Sequence, residues 1–130
     1  MSSVPDSSLI FVYGSLRRGG FNHALFAGAR FLGEAATAPH YSLHDLGPYP
    51  ALVAGGTTSV LGELYSLSPE QLAAADELEG HPTVYTRGPI ALAAPHEIVA
   101  AEAWLRAPEA VAHLPLVPSG DWLAHLRSRR

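Results

Sequence analysis

Glu79 is the residue of this sequence whose position most suggests proton transfer. It falls at the end of a helix that the sequence predicts over 69–79, seven positions after Leu72 and so within roughly 20° of it on the helical wheel, with Ala75 close to the same stripe. The wheel therefore directs the carboxyl group inward. Because partial burial and the negative end of the helix dipole both disfavour an anion, we expect a raised pKa for Glu79.

A simpler interpretation of Glu79 stays open at this point. Helix ends often fray and often violate dipole preferences, so the pattern is also compatible with an exposed residue that has no catalytic role. The two neighbouring acids are weaker candidates. Glu77 points away from the apolar stripe, and Asp76 lies at its edge.

The second candidate is the turn that ends the first apolar run, a predicted buried strand over 9–13. A glycine at a strand end lets backbone N–H groups converge on a carboxylate or a developing oxyanion. An ordinary strand-ending turn is the alternative, whereas a phosphate loop is excluded because no Gly-Lys-Ser/Thr ending follows. No nucleophile elbow surrounds the serine, which we interpret as a backbone contributor. The turn consists of Tyr13, Gly14, Ser15 and Leu16.

Metal and thiol chemistry find little support in the sequence. His40 and His44 are four residues apart, but they fall in a region predicted as strand and turn, where this spacing does not align the two rings. The chain has no cysteine, which excludes thiolate ligands, a cysteine nucleophile and disulfides, and is typical of a reducing compartment. We expect no metal site and a cytoplasmic location.

Length and composition predict one domain over 1–130, with flexible ends at 1–7 and 127–130. The net charge is −4 and the eight Lys and Arg residues are scattered, so we expect no nucleic-acid partner. No run reaches the roughly 20 apolar residues that span a bilayer, and residues 1–8 lack the basic and apolar parts of a leader. We therefore expect neither membrane insertion nor export.

The elements that must position these residues alternate between strands and short helices. The helix over 69–79 has the clearest signals, because Ser68 can cap it, Gln71 completes a capping box and Gly80 can end it. Pro48 and Pro50 indicate a stiff crossing between elements. Further strands are predicted over 41–46, 57–67, 85–92 and 97–105, and helical pieces at 22–26 and from about residue 121. Trp104, Asp121 and Trp122 are expected to be packing residues of the core or its rim.

Several short segments follow one another between Phe11 and about Trp104. They are Phe11-Val12-Tyr13-Gly14-Ser15-Leu16-Arg17-Arg18-Gly19, Asn22-His23, Gly47-Pro48-Tyr49-Pro50-Ala51, Gly62-Glu63-Leu64-Tyr65, Asp76-Glu77-Leu78-Glu79-Gly80 and Tyr85-x-Arg87. In this order they resemble the motifs of gamma-glutamylcyclotransferase-like proteins, especially the small branch that includes gamma-glutamylamine cyclotransferase.

The resemblance implies a fold and a site. The fold is of the α+β class, a small mixed β-barrel with a few short helices and a cavity at one end. Glu79 matches the glutamate that acts as general base in the family, and the turn over 13–16 matches its substrate loop. Tyr85 matches a tyrosine that approaches the pocket, and Arg87 is expected to help fix that region.

The reaction that the resemblance implies needs no cofactor. The free α-amine of a gamma-glutamyl group attacks the side-chain amide, which releases an amine and 5-oxoproline, with Glu79 as general acid and base. The identity of the leaving amine stays open, as does the choice between monomer and homodimer. The turn amides are expected to hold either the α-carboxylate or the carbonyl oxygen.

Two other functions remain to be weighed against catalysis. A binding module of the same fold would hold a small carboxylate ligand without turning it over, and a partner-binding domain would have an empty, closed pocket. The acid at position 79 argues against the binding module, since alanine or glutamine there would favour it.

Overall fold

The computed structural model describes residues 8–20 and 22–129. It has seven strands, with two α-helices that cover parts of the sheet and a third short one near residue 110. The strands are β1 (Ser8–Val12), β2 (Arg30–Ala36), β3 (Tyr41–Asp45), β4 (Pro50–Ala54), β5 (Leu61–Leu67), β6 (Thr86–Ile90) and β7 (Ala101–Leu105). The helices are α1 (Pro69–Glu79), α2 (Pro108–Val111) and α3 (Trp122–Ser128), with a 3₁₀ helix at His23–Phe26.

All seven strands form one mixed sheet in the order β2-β5-β1-β7-β4-β3, with β6 paired to β7. Strand β7 pairs with β6 along its whole length, and single parallel residue pairs join it to β1 near its start and to β4 at its end. The predicted α+β class, with a mixed sheet and a few short helices, is confirmed.

The sheet does not close into the barrel that the resemblance implied. Strands β2 and β3 stand at the two ends of the strand order. Within the described residues, the continuation of β2 meets that of β6 only through an isolated bridge between Thr37 and Leu92. One bridge and its flanking hydrogen bonds replace the full ladder that closure requires.

Two apolar clusters fill the two sides of the sheet. Alternation along β1 sends Phe11 to one cluster and Ile10 to the other, as expected for side chains that point to opposite faces. Trp122 of α3 lies in the first cluster, and Trp104 of β7 lies in the second; both indoles are buried, as their predicted packing roles required. Helix α1 covers the second cluster through Ala75.

Helix α1 begins and ends where its sequence signals predicted. The Ser68 hydroxyl accepts a hydrogen bond from the Gln71 N–H, and the Gln71 side chain accepts one from the Ser68 N–H, which completes the capping box. Gly80 ends the helix at φ 68°, in the left-handed region that glycine adopts without strain. The position of Glu79 in the last turn is thus set by local sequence.

Other boundaries differ from the predictions. The segment at Pro48 and Pro50 was expected to be a stiff crossing, but it leads into strand β4, which pairs with β3. The apolar run Ala51–Val53 favours a strand here, because in β4 its side chains are buried. Strand β5 starts at Leu61, four residues later than expected, and β7 starts at Ala101. Residues 1–7, where a flexible end was expected, lie outside the described residues, as does residue 130.

No helix in the described part of the chain has the length and apolar character needed to cross a lipid bilayer.

Candidate active site

One pocket brings together all six residues that the sequence and the resemblance singled out. It is an open cleft, and about 330 Å³ of space free of protein atoms lies within it and at its mouth. Its wall includes the predicted residues Tyr13, Gly14, Ser15, Leu16, Glu79 and Tyr85, together with Val12, Tyr49, Pro50 and Trp104.

The pocket lies where four chain segments meet. Strand β1 ends at Val12 and delivers the turn over 13–16, while β4 starts opposite this turn at Pro50. A Cβ atom on Gly14 would lie 2.8 Å from Cγ of Pro50, so the close approach of the turn to β4 requires glycine. The last turn of α1 supplies Glu79, and the segment before β6 supplies Tyr85.

Glu79 is the acid of this pocket. Its side chain is partly buried, and burial, which disfavours the charged form, raises its pKa from 4.5 to about 7. The sequence argument predicted both the inward direction and the raised pKa. A carboxyl group with a pKa near neutrality can both accept and return a proton at physiological pH.

The two tyrosines of the pocket are held by the backbone. The Tyr13 hydroxyl donates to the carbonyl of Trp104 and accepts from the N–H of Leu52, and the Tyr85 hydroxyl donates to the carbonyl of Pro50. Burial raises the pKa of both phenols, to about 12 for Tyr85, and the nearby Glu79 carboxylate adds to the shift. Both phenols are therefore neutral at pH 7 and shape the wall, whereas the pKa of Glu79 lies close to that pH.

The turn over 13–16 places backbone N–H groups in the wall of the pocket. The N–H groups of Gly14, Ser15 and Leu16 donate no hydrogen bond to another described residue, although all three residues are buried. The carbonyls are used differently, since Gly14 O accepts from the N–H of Arg17 and Ser15 O accepts from that of Asn22. Buried N–H groups are rarely left unpaired, so these three suit an anionic or carbonyl oxygen of a ligand.

Glu63 of β5 supports the far side of this turn. Its buried carboxylate accepts hydrogen bonds from the N–H of Arg18 at 2.8 Å and from the Tyr65 hydroxyl at 3.0 Å, and it lies 3.7 Å from Nε of Arg17. Arg17 also pairs with Asp121, the cap of α3, at 3.0 Å. The sequence analysis assigned Glu63 no role. Its position as an acid within the mainly apolar segment 60–67 could have indicated a buried, paired carboxylate.

A second ionic cluster fixes the last turn of α1. Asp76 binds the Arg87 guanidinium through both carboxylate oxygens and accepts from the indole N–H of Trp104 at 2.8 Å. Arg87 also donates to Glu102 of β7 at 2.6 Å. The helix end that carries Glu79 is thereby tied to β6 and β7, in line with the fixing role expected of Arg87.

The histidines lie apart from the pocket. His44 is buried in β3, where its Nδ1 lies 3.2 Å from the carbonyl of Leu114, and His40 is exposed. Among residues 8–20 and 22–129, no group of three or more metal-ligating side chains comes together. The absence of a metal requirement stays a prediction.

Comparison with known proteins places this geometry in a family. Residues 10–124 match the family described as Gamma-glutamyl cyclotransferase, AIG2-like. A Vibrio cholerae protein provisionally named a gamma-glutamylcyclotransferase is 41% identical over 115 residues, which cover 88% of this chain and 94% of the relative. The Escherichia coli K12 gamma-glutamylcyclotransferase family protein YtfP is 37% identical, with 88% of this chain and 95% of the relative covered.

Solved structures resemble about nine tenths of this chain as well. A mouse AIG2-like protein superposes with a TM-score of 0.76 at 28% identity and covers 90% of each chain. The solution structure of Escherichia coli ytfP has a TM-score of 0.66 at 34% identity, with 90% of this chain and 97% of that chain covered. The likeness extends over nearly the full length of these small proteins.

Proposed function

The chain belongs to the Gamma-glutamyl cyclotransferase, AIG2-like family, and from this premise we propose that it is a gamma-glutamylcyclotransferase with Glu79 as general acid and base. Two relatives, matched over 94% and 95% of their length, are named as a gamma-glutamylcyclotransferase or as a member of that family. The observation that carries the proposal is the meeting, in one pocket, of Glu79, whose pKa is about 7, with the unpaired amides of the turn over 13–16.

The proposed reaction is intramolecular. The α-amine of the gamma-glutamyl group attacks the γ-carbonyl carbon, so that a new C–N bond closes the five-membered ring as the old amide C–N bond breaks. As the α-ammonium becomes the N–H of the ring it loses two protons, which Glu79 passes one after the other to the departing nitrogen. 5-Oxoproline and the amine, in its ammonium form, then leave without net gain or loss of protons. This proton transfer contributes about 10²- to 10⁴-fold to the rate.

The turn amides complete the proposed site. Three N–H groups on one turn are suited to the α-carboxylate of the substrate or to the oxyanion that develops on the γ-carbonyl, and each donor to an oxyanion contributes roughly 10²- to 10³-fold. Binding that holds the α-amine against the γ-carbonyl lowers the barrier further, because the entropy of ordering the glutamyl arm is lost on binding and not in the chemical step. No cofactor enters, because the substrate carries its own nucleophile.

The activity should depend on pH through Glu79. Below about pH 7 the carboxyl group is protonated and cannot accept a proton from the α-ammonium, so kcat/KM should fall about tenfold for each further pH unit. Initial rates of 5-oxoproline formation between pH 5 and pH 8 would measure this limb. An acid limb near 4.5, the ordinary glutamate value, would exclude Glu79 as the group that titrates.

A substrate panel tests the proposed activity directly. Purified protein is incubated with gamma-glutamyl amino acids, gamma-glutamyl alkylamides and gamma-glutamyl-ε-lysine, and 5-oxoproline is quantified by mass spectrometry. Product above the rate of spontaneous cyclisation supports a cyclotransferase. Saturable ligand binding with no product from any member would instead support the binding module of the same fold.

We also propose a cytoplasmic enzyme that acts as a monomer or homodimer on a small-molecule substrate, without nucleic-acid or membrane partners. The absence of cysteine fits a reducing compartment, and the scattered basic residues offer no stripe for a phosphate backbone. Gel filtration with light scattering would determine the oligomeric state.

A further inference from the structure

A second cavity adjoins the pocket and is not used by the chemistry described so far. It is open to solvent, has about 600 Å³ of space free of protein atoms in and above it, and shares Tyr49, Glu79 and Tyr85 with the first. The residues that line only this cavity are Leu46, Leu78, Gly80, Val84 and Arg106. Because the two cavities meet at Glu79, we call the second one the outer groove.

The proposed reaction requires space on this side of Glu79. The amide nitrogen must lie within reach of the Glu79 carboxyl group when it accepts a proton, while the glutamyl part occupies the pocket at the turn. The substituent on that nitrogen then extends past Glu79. The outer groove, which Glu79 also lines, is the space that adjoins this point.

The walls of the outer groove indicate the chemistry of that substituent. Leu78 and Val84 are large apolar residues with 43% and 52% of their surface exposed, and Leu46 lines the groove beside them. Apolar side chains that line a cavity favour a ligand with an apolar body, because its surface is removed from water on binding.

Arg106 adds a positive charge to the same groove. Its guanidinium carbon lies 5.2 Å from the centre of the Tyr85 ring, and the guanidinium also hydrogen-bonds to the Tyr85 side chain, which holds Arg106 at the groove. Within the described parts of the chain, no carboxylate forms an ion pair with it. A planar guanidinium without an acidic partner is well suited to bind a ligand carboxylate through two parallel hydrogen bonds.

We propose that the outer groove is the subsite for the leaving amine and selects an amino acid with an apolar side chain, whose carboxylate binds Arg106. This inference rests on the proposed cyclotransferase function. It distinguishes amino acid leaving groups from the neutral alkylamines that the family resemblance leaves equally open. The apolar side chain of the leaving group would pack on Leu78 and Val84.

A matched pair of substrates tests the subsite. Gamma-glutamyl-leucine and gamma-glutamyl-isopentylamide differ only in the carboxylate of the leaving group. We expect the wild type to prefer the leucine compound by roughly 10- to 100-fold in kcat/KM, since hydrogen bonds to a charged group contribute about 1.5–3 kcal/mol. In Arg106→Met this preference should fall close to one, mainly through a higher KM for gamma-glutamyl-leucine, with a much smaller loss for the isopentylamide.

Two further variants guard the interpretation. Val84→Glu places a carboxylate in the groove at an exposed position and should also reduce the preference for gamma-glutamyl-leucine, by repulsion. Arg127→Met removes an exposed arginine of α3 that lines neither cavity, and it should leave both substrates unaffected. Thermal melting of each variant verifies that it is folded.

The outcomes separate the subsite from the activity. If both substrates yield 5-oxoproline at similar kcat/KM in the wild type, or if Arg106→Met and Val84→Glu retain the preference, the subsite is refuted and the cyclotransferase stands. If no gamma-glutamyl compound yields 5-oxoproline, the proposed function fails and the subsite fails with it.

Discussion

Replacing Glu79 with glutamine should reduce the rate of 5-oxoproline formation by about 10²- to 10⁴-fold, because the amide cannot exchange the proton that the reaction moves. Glutamine has nearly the same shape, so the pocket wall and the fold should persist. The loss should appear in kcat and kcat/KM together, since the missing proton transfer belongs to the transition state. Mass-spectrometric initial rates at pH 8 give the measurement.

The same substitution should stabilise the protein above neutral pH. In the folded state burial raises the pKa of Glu79 to about 7, whereas the unfolded chain has the ordinary value of 4.5. Ionisation therefore disfavours the folded state progressively as the pH rises from about 4.5 to about 7, by up to about 3 kcal/mol above that window. Glutamine escapes this cost, so urea unfolding should show a gain for the variant at pH 8 and little difference at pH 4.

Glu77→Gln is the matched control for both effects. Glu77 lies in the same last turn of α1 but is exposed and lines neither cavity, so its activity and its stability profile should follow the wild type. An active Glu79→Gln enzyme would refute the catalytic role. A variant that is inactive but no more stable than the wild type at pH 8 would contradict the cost of burying the ionised Glu79 carboxylate, and with it the raised pKa.

The parts of the site that the sequence predicted are those set by local rules. Helix α1 is fixed by the capping box at Ser68 and the left-handed Gly80, so the helical wheel could place Glu79 without knowledge of the fold. The turn over 13–16 follows directly from a buried strand and a glycine. For both, the determining residues lie within a few positions of the functional ones.

The parts that were missed depend on contacts between distant segments. Strand β4 was predicted as a crossing because its pairing with β3 is not visible in its own residues. Arg106 was not singled out because only the fold brings it to the same groove as the end of α1. Glu63 reaches Arg18 across 45 positions of sequence. Neither periodicity nor capping signals carry information about such pairings. The resemblance identified the motif residues but did not say which distant residues they contact.

Glu63→Ala should weaken both the fold and the substrate turn. Removing the carboxylate leaves the Tyr65 hydroxyl and the N–H of Arg18 without their acceptor. It also leaves Nε of Arg17, which is buried and makes no hydrogen bond, without the nearby negative charge. Loss of one partner of a buried charged pair typically costs about 3–5 kcal/mol, which urea unfolding at pH 7 would detect. Because the turn that carries the amides would then be held less firmly, KM should rise more than kcat falls.

Glu63→Gln separates support of the turn from general loss of stability. Its amide oxygen can still accept from the N–H of Arg18 and from Tyr65, so only the attraction to Arg17 is lost. We therefore expect KM close to the wild-type value and a smaller loss of stability, whereas alanine changes both. If alanine leaves KM unchanged once the fraction of folded protein is taken into account, Glu63 serves the fold alone, and the turn amides keep their positions without it.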